Sequence, residues 1–163
     1  MIRPVTRDDA KSICDIYNHH VENTIVTFEE RPVSVGDMQR RISDITGDYP
    51  WLVLEEGGRL IGYAYAGRWK SRCSYRYSAE STIYLAEGFA RRGFGTRLYR
   101  ALITELRSRP VHCMVAGIAL PNPASVALHE SMGFGKVAHF KEVGWKCNQW
   151  IDVGYWELMI EGP

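Results

Sequence analysis

Arg91-Arg92-Gly93-Phe94-Gly95-Thr96 is the stretch whose reading decides the fold. Before it, Arg76 to Ala86 is rich in Tyr, Thr and Ile and reads as a long strand. After it, Phe94, Leu98, Leu102 and Leu106 recur at helical spacing. With Gly88 as a further break, strand, glycine turn and helix follow in direct succession. Gly93 and Gly95 let the backbone turn tightly and approach a ligand without interference from a Cβ. The amide N–H groups from Arg92 to Arg97 can then converge on one point at the positive end of a helix. That point suits a diphosphate, and Arg91, Arg92 and Arg97 add charge. Two glycines can also do no more than shape a strand-to-helix loop. Other phosphate motifs fit less well: a dinucleotide fingerprint needs a glycine at Leu98, and a P-loop needs Gly-Lys-Ser/Thr.

Toward the N-terminus, Ile2 to Val5 is a short strand candidate, and Thr6 with Asp9 resembles a capping box. Ala10, Ile13, Cys14, Tyr17 and Val21 mark a first helix, and a loop carrying Thr27 and Phe28 follows. Ser34 caps a second helix with apolar positions Met38, Ile42 and Ile45, stopped by Gly47 and Pro50. Trp51 to Glu55 and Leu60 to Ala66 form a hairpin across Glu56-Gly57-Gly58. Arg68 to Tyr75 is a basic, irregular connection.

Toward the C-terminus, Val111 to Gly117 is an apolar strand interrupted only by His112. Asn122-Pro123-Ala124 opens a short helix that reaches Met132, and Gly133 ends it. Val137 to Lys146 and Trp150 to Ile160 are aromatic-rich strands expected to pair antiparallel. The order β-α-α-β-β-β-α-β-α-β-β predicts an α/β (α+β) domain with a mostly antiparallel sheet. One parallel pair is expected where the central helix crosses between strands.

At 163 residues, with 45% hydrophobic and 24% charged residues, the chain has the length and composition of one folded domain spanning 1–163. A formal net charge of +1 without a Lys/Arg tract argues against nucleic acid as a partner. Cys14, Cys73, Cys113 and Cys147 show no metal spacing, so no metal is expected, and they read as reduced thiols that mostly fill core. No signal-peptide pattern or membrane-length apolar run is present, so a cytoplasmic protein without a membrane partner is expected.

Arg-Arg-Gly-Phe-Gly-Thr after a strand resembles the acetyl-CoA motif Gln/Arg-x-x-Gly-x-Gly/Ala of the GNAT superfamily of N-acetyltransferases. Ala90 stands at the first motif position, which removes that side chain's contact. Asn122 to Phe134 resembles the superfamily's second motif, with His129 where tyrosine is common. Tyr49-Pro50-Trp51-Leu52-Val53, Ala66 to Lys70, Ser78 to Tyr84, His129-Glu130 and Trp150 to Gly154 are similar to the group acetylating phosphinothricin and methionine sulfoximine. The resemblance runs from Ile2 to Leu158. It implies the GNAT fold, with helices on both sheet faces and a splayed parallel pair, acetyl-CoA as co-substrate, a homodimer, and a small amino-acid substrate in a detoxification role.

Acetyl transfer to an amine needs a base, an oxyanion site and a proton for the departing thiolate. Glu80, between Ala79 and Ser81, is the candidate base, with an ion pair to Arg76 or Lys70 as its structural alternative. His129 is the candidate acid, and its alternative is helix packing. By resemblance Tyr84, Leu85 and Ala86 line the pantetheine arm, and Asn122 and Ser131 are further coenzyme contacts. Asn122 also reads as a helix N-cap. Lys70, Arg72 and Arg76 are candidates for pairing with acceptor anions. Phe28, Trp69 and Tyr75 are expected to wall the acceptor pocket, with Ser74, Ser81, Thr82 and Ile83 beside it. Trp145, Trp150 and Trp156 are expected at a subunit contact or pocket lid. A peptide N-terminus or polyamine acceptor, or a non-catalytic acetyl-CoA-binding module, stay open alternatives.

Overall fold

The computed structural model describes residues 1–160; residues 161–163, at the end of the expected domain, lie outside the described residues. Seven strands form one sheet in the order β1-β2-β3-β4-β5-β7-β6. They are β1 (Ile2–Pro4), β2 (Trp51–Glu56), β3 (Arg59–Arg68), β4 (Ser78–Leu85), β5 (Cys113–Leu120), β6 (Gly135–Lys146) and β7 (Gln149–Met159). The helices are α1 (Ala10–Asn23), α2 (Val35–Thr46), α3 (Phe94–Arg107) and α4 (Pro123–Ser131). Among the described pairings only β4 with β5 is parallel, and α3 makes the crossover.

Local signals act as the sequence suggests. Thr6 and Asp9 form a capping box ahead of α1, Ser34 Oγ accepts the Asp37 N–H, and Asn122 Oδ1 accepts the Ser125 N–H. Gly57 and Gly58 both take positive φ, 57° and 77°, as a two-residue hairpin turn requires. Three differences of element limits from the sequence reading bear on the site. β4 begins at Ser78, because Cys73–Tyr75 forms a 3-10 turn closed by the Arg76 N–H on the Cys73 carbonyl. β5 begins at Cys113, since the Val111 N–H is engaged by the Arg109 carbonyl. It runs on past Gly117 because β7 pairs with it as far as Leu120.

The core has two parts. On one face α3 packs against β2, β3 and β4, burying Leu98, Leu102 and Leu106 against Leu52, Ala64 and Met114. Each such leucine contributes roughly 1.5–3 kcal/mol relative to exposure. On the other face α1 and α2 bury Ile13, Tyr17, Met38 and Ile42 against Trp51, Val53 and Tyr63. Trp156 belongs to the first cluster, its Nε1–H donating to Glu130 Oε1 at 3.2 Å, so it is not part of a contact surface or lid. Of the cysteines, Cys14 is buried but Cys73 and Cys147 are exposed, which corrects the expectation of mostly core filling; all four are free thiols.

The feature that positions the site is a split in the sheet. β4 and β5 pair only at Ser78 with Cys113, Ala79 with Met114 and Glu80 with Val115. Beyond Glu80, β4 stays with β3 as far as Leu85, while β5 stays with β7.

Candidate active site

A cavity of about 870 Å³ fills the split. Ser81 to Leu85 of β4 and the following Ala86 line one side, and Gly117 to Ala119 of β5 with Asn122, Ser125, His129 and Ser131 line the other. The α3 N-terminus closes one end. Gly93, the N-cap of α3, sits at φ 78° and supplies no side-chain cap, whereas α2 and α4 are capped by Ser34 and Asn122. The N–H groups of Phe94, Gly95 and Thr96 therefore stay open at the positive end of a 14-residue helix. A Cβ on Gly95 would lie 3.4 Å from Leu128 and 3.6 Å from Leu85. Arg91 lines the cavity with φ at 61°, a left-handed conformation that a side chain makes costly. The expected fan of amides ends before Arg97, whose N–H donates to the Gly93 carbonyl inside the helix. The guanidinium groups of Arg92 and Arg97 lie 5.2 and 5.9 Å from the Phe94 ring centroid, and neither side chain lines the cavity.

A second cavity, about 840 Å³, lies on the face of β5, β6 and β7 opposite α3 and α4, and no α-helix residue lines it. Alternate residues line it: Ser78 and Glu80 of β4; Cys113, Val115 and Gly117 of β5; Val153, Tyr155 and Glu157 of β7. Phe28, Trp69, Lys70 and Tyr75 complete the wall with Phe140 and Val143. Val26, Gly117 and Ala119 line both cavities, so the two meet there. At Gly117 an added Cβ would lie 3.2 Å from Tyr155 Cε1 and 3.7 Å from Glu80 Oε1, which puts the carboxylate and the phenol side at the meeting point.

Burial pushes the Glu80 pKa above the ordinary carboxylate value, and Lys70 pulls it partly back. Neither alternative partner forms an ion pair with it. Lys70 Nζ sits 4.6 Å from the Trp69 ring centroid, and the Arg76 guanidinium lies over Tyr77 and donates to the Cys73 carbonyl. Tyr155 stacks edge-on to Trp69, and its phenol pKa is raised by burial and by the Glu80 charge.

His129 sits as the packing alternative of its sequence reading expects. It is 3% exposed, edge-on to Tyr99 and Phe134, and Nδ1 lies 2.7 Å from the Ser125 carbonyl. A carbonyl only accepts, so Nδ1 carries the proton and the neutral ring leaves Nε2 bare. Burial lowers the pKa, so the imidazolium expected as an acid is disfavoured at neutral pH.

The GNAT acetyltransferase domain model matches residues 2–154. The phosphinothricin N-acetyltransferase of Streptomyces viridochromogenes is 38% identical over 162 residues, covering 99% of this chain and 88% of that protein. The chain belongs to the GNAT acetyltransferase family. The L-methionine sulfoximine/L-methionine sulfone acetyltransferase of Salmonella typhimurium is 36% identical, with 98% of this chain and 94% of that protein covered. The yncA structure from Salmonella typhimurium, solved with its cofactor acetyl-CoA, superposes with a TM-score of 0.97 at 35% identity, covering 100% of this chain and 95% of that one. This chain is thus an acetyl-CoA-dependent N-acetyltransferase. Its own residues fit that co-substrate, with open amides at α3 for the diphosphate and a long cleft leading to the strand split.

In this acetyltransferase, the structure brings Tyr84, Leu85, Ala86, Arg91, Gly93, Gly95, Thr96, Asn122 and Ser131 to the first cavity. Phe94 turns its ring into the core and leaves only its amide at the cradle. Ser81, Thr82 and Ile83, expected beside the acceptor, line the first cavity instead, because the split begins just after Glu80. Phe28, Trp69, Lys70, Tyr75 and Glu80 gather in the second cavity. Arg72, Ser74 and Arg76 do not line it, because the 3-10 turn over Cys73–Tyr75 carries them away. Sequence reading missed Tyr155 and its β5 and β7 neighbours. Their signal is the alternation Val153, Tyr155, Glu157, legible only once the cavity face of β7 is known.

Proposed function

We propose that this chain, acting as one domain, acetylates the α-amine of a small amino acid held in the second cavity. The observation that carries this is a cavity with one cation, Lys70, and a desolvated carboxylate, Glu80, between aromatic and aliphatic walls, opening onto the donor cleft at Gly117. Lys70 pairs with the acceptor carboxylate. Glu80, its basicity raised by burial, takes the ammonium proton, directly or through one water. Acetyl-CoA supplies the thioester carbonyl that the freed amine attacks; the C–S bond then breaks, and coenzyme A leaves as a thiolate that takes up the second amine proton directly or through water. Backbone amides of β4 beyond Glu80, released from β5, face the developing oxyanion. His129 holds α4 against Tyr99 and Phe134 rather than donating a proton.

One lining cation suits a methionine-derived side chain such as the sulfone or sulfoximine better than phosphinothricin, which adds a second anion. Measured by free-thiol release, the sulfone and sulfoximine should be turned over with kcat/KM above phosphinothricin and ordinary amino acids. If none of these is acetylated while acetyl-CoA still binds, the small-amino-acid reading fails and peptide N-termini or polyamines take its place. Trp145 and Trp150, 50% and 60% exposed on the edge hairpin, support a homodimer through that face. A monomer mass by light scattering would contradict it. The free thiols support a reducing, cytoplasmic setting, with detoxification of the acetylated amino acid as the biological role.

A further inference from the structure

The segment joining α1 to α2 contributes Val26 to both cavities and Phe28 to the second, so its seat fixes the shape of the acceptor space. It is held at two neighbouring points by one face of β6. Lys146 Nζ donates to the Thr27 carbonyl at 2.7 Å, and Thr27 Oγ1 shares a 2.8 Å hydrogen bond with Tyr17 Oη. Lys146 is 5% exposed, and among the described residues it forms no carboxylate pair, so its ammonium serves this one carbonyl. Two residues earlier on the same strand, Gly144 is buried beneath the Phe28 ring. A Cβ there would lie 2.5 Å from Phe28 Cε2, a distance that real Cβ contacts do not tolerate.

We infer that Gly144 is a specificity determinant: its bare backbone is the seat of the Phe28 ring, and the seated ring sets the width of the acceptor cavity. This rests on the reading of the second cavity as the acceptor site. Phe28 is 43% exposed, so a side chain at position 144 displaces the ring instead of breaking the core. The displaced ring either enters the cavity, narrowing it, or swings out, removing a wall. Both outcomes act on the acceptor and leave the donor cleft at α3 untouched. Lys146 holds the Thr27 carbonyl, so the displacement stays local to the segment that carries Phe28.

The test is a double-mutant cycle of Gly144→Ala and Phe28→Ala, with acceptor KM and kcat, acetyl-CoA affinity by titration, and amide hydrogen exchange over residues 24–33. Gly144→Ala should raise acceptor KM about tenfold, with kcat and acetyl-CoA affinity within about twofold. In the Phe28→Ala background, where no ring occupies the seat, the same replacement should change KM by less than about twofold. That double variant also keeps the test alive if Gly144→Ala alone folds poorly. An unchanged KM in Gly144→Ala, or equal effects in both backgrounds, overturns the inference. If the wild type acetylates no amino acid, the acceptor reading has failed by itself. The seat is then read from exchange, which Gly144→Ala should accelerate over 24–33 only while Phe28 is present.

Discussion

Glu80 and His129 show how burial redistributes roles that residue type alone suggests. Both are desolvated, and each is driven toward its neutral form. For Glu80 this makes a stronger base. It also carries a stability cost with a definite sign. Its folded pKa is raised above the ordinary 4.5, so the native state holds this proton more tightly than the unfolded chain does. Below pH 4.5 both states are protonated and the cost is absent; it grows as pH rises through the raised value. Glu80→Gln, neutral at every pH, should therefore be more stable to urea than wild type at pH 7 and equal to it at pH 4. Its turnover should fall about 10²–10⁴-fold, the usual worth of a positioned base. Lower stability at pH 7, or full turnover, would remove Glu80 from the role. Glu80 was readable from sequence because it stands in the strand preceding the glycine turn. The neutral state of His129 was not readable, since it depends on the Ser125 carbonyl and the rings of Tyr99 and Phe134 around it.

At the scale of elements, the β4–turn–α3 unit was legible because each of its signals is local. The helical stripe, the left-handed Gly93 and the missing side-chain cap all lie within one short run of chain. Of the proposed acceptor wall, Phe28, Trp69 and Tyr75 were legible but the β5 and β7 part was not, since Tyr155 and Val115 reach Glu80 only through the pairing of β5 with β4 and β7. The basic segment from Arg68 to Arg76 was read only in part for the converse reason: Lys70 lines the second cavity but Arg72 and Arg76 do not, because local charge density says nothing about which side chains a 3-10 turn points inward. The two cradle glycines serve different purposes, and alanine should separate them. Gly93→Ala meets no atom within 4 Å, so its cost is the left-handed backbone alone, about 1–2 kcal/mol, seen as a lower melting temperature. Gly95→Ala gains about 1 kcal/mol of helix propensity against a 3.4 Å contact with Leu128, so the melting temperature should hardly move. Its new methyl group instead stands where the ligand approaches, and acetyl-CoA affinity should fall about tenfold. A Gly95→Ala variant binding acetyl-CoA as wild type does would show that this glycine serves helix packing only.

Over the whole molecule, the proposed reaction brings its two substrates together from different sides of one split sheet. α1 and α2 cover one part of a face, α3 and α4 the other face, and the part of the first face formed by β5 to β7, which no helix covers, leaves room for the proposed acceptor. Catalysis then depends on where the cavities join, because a reaction between two bound molecules gains most from holding the reacting atoms in contact. Gly117 is that joint: it pairs with Tyr155 across β5 and β7, and it borders both cavities. Gly117→Val should plug the joint without closing the α3 cradle. Its first added carbon already lies 3.2 Å from Tyr155 and 3.7 Å from Glu80, so the branched methyls must extend into the space between amine and thioester. The diphosphate end of acetyl-CoA should keep its hold, with affinity within a few-fold by titration, while kcat falls about 100-fold, the scale of a misplacement of about 1 Å. Loss of acetyl-CoA binding together with kcat would mean that Gly117 shapes the donor cleft alone. Wild-type kcat would mean that amine and thioester meet elsewhere along the split.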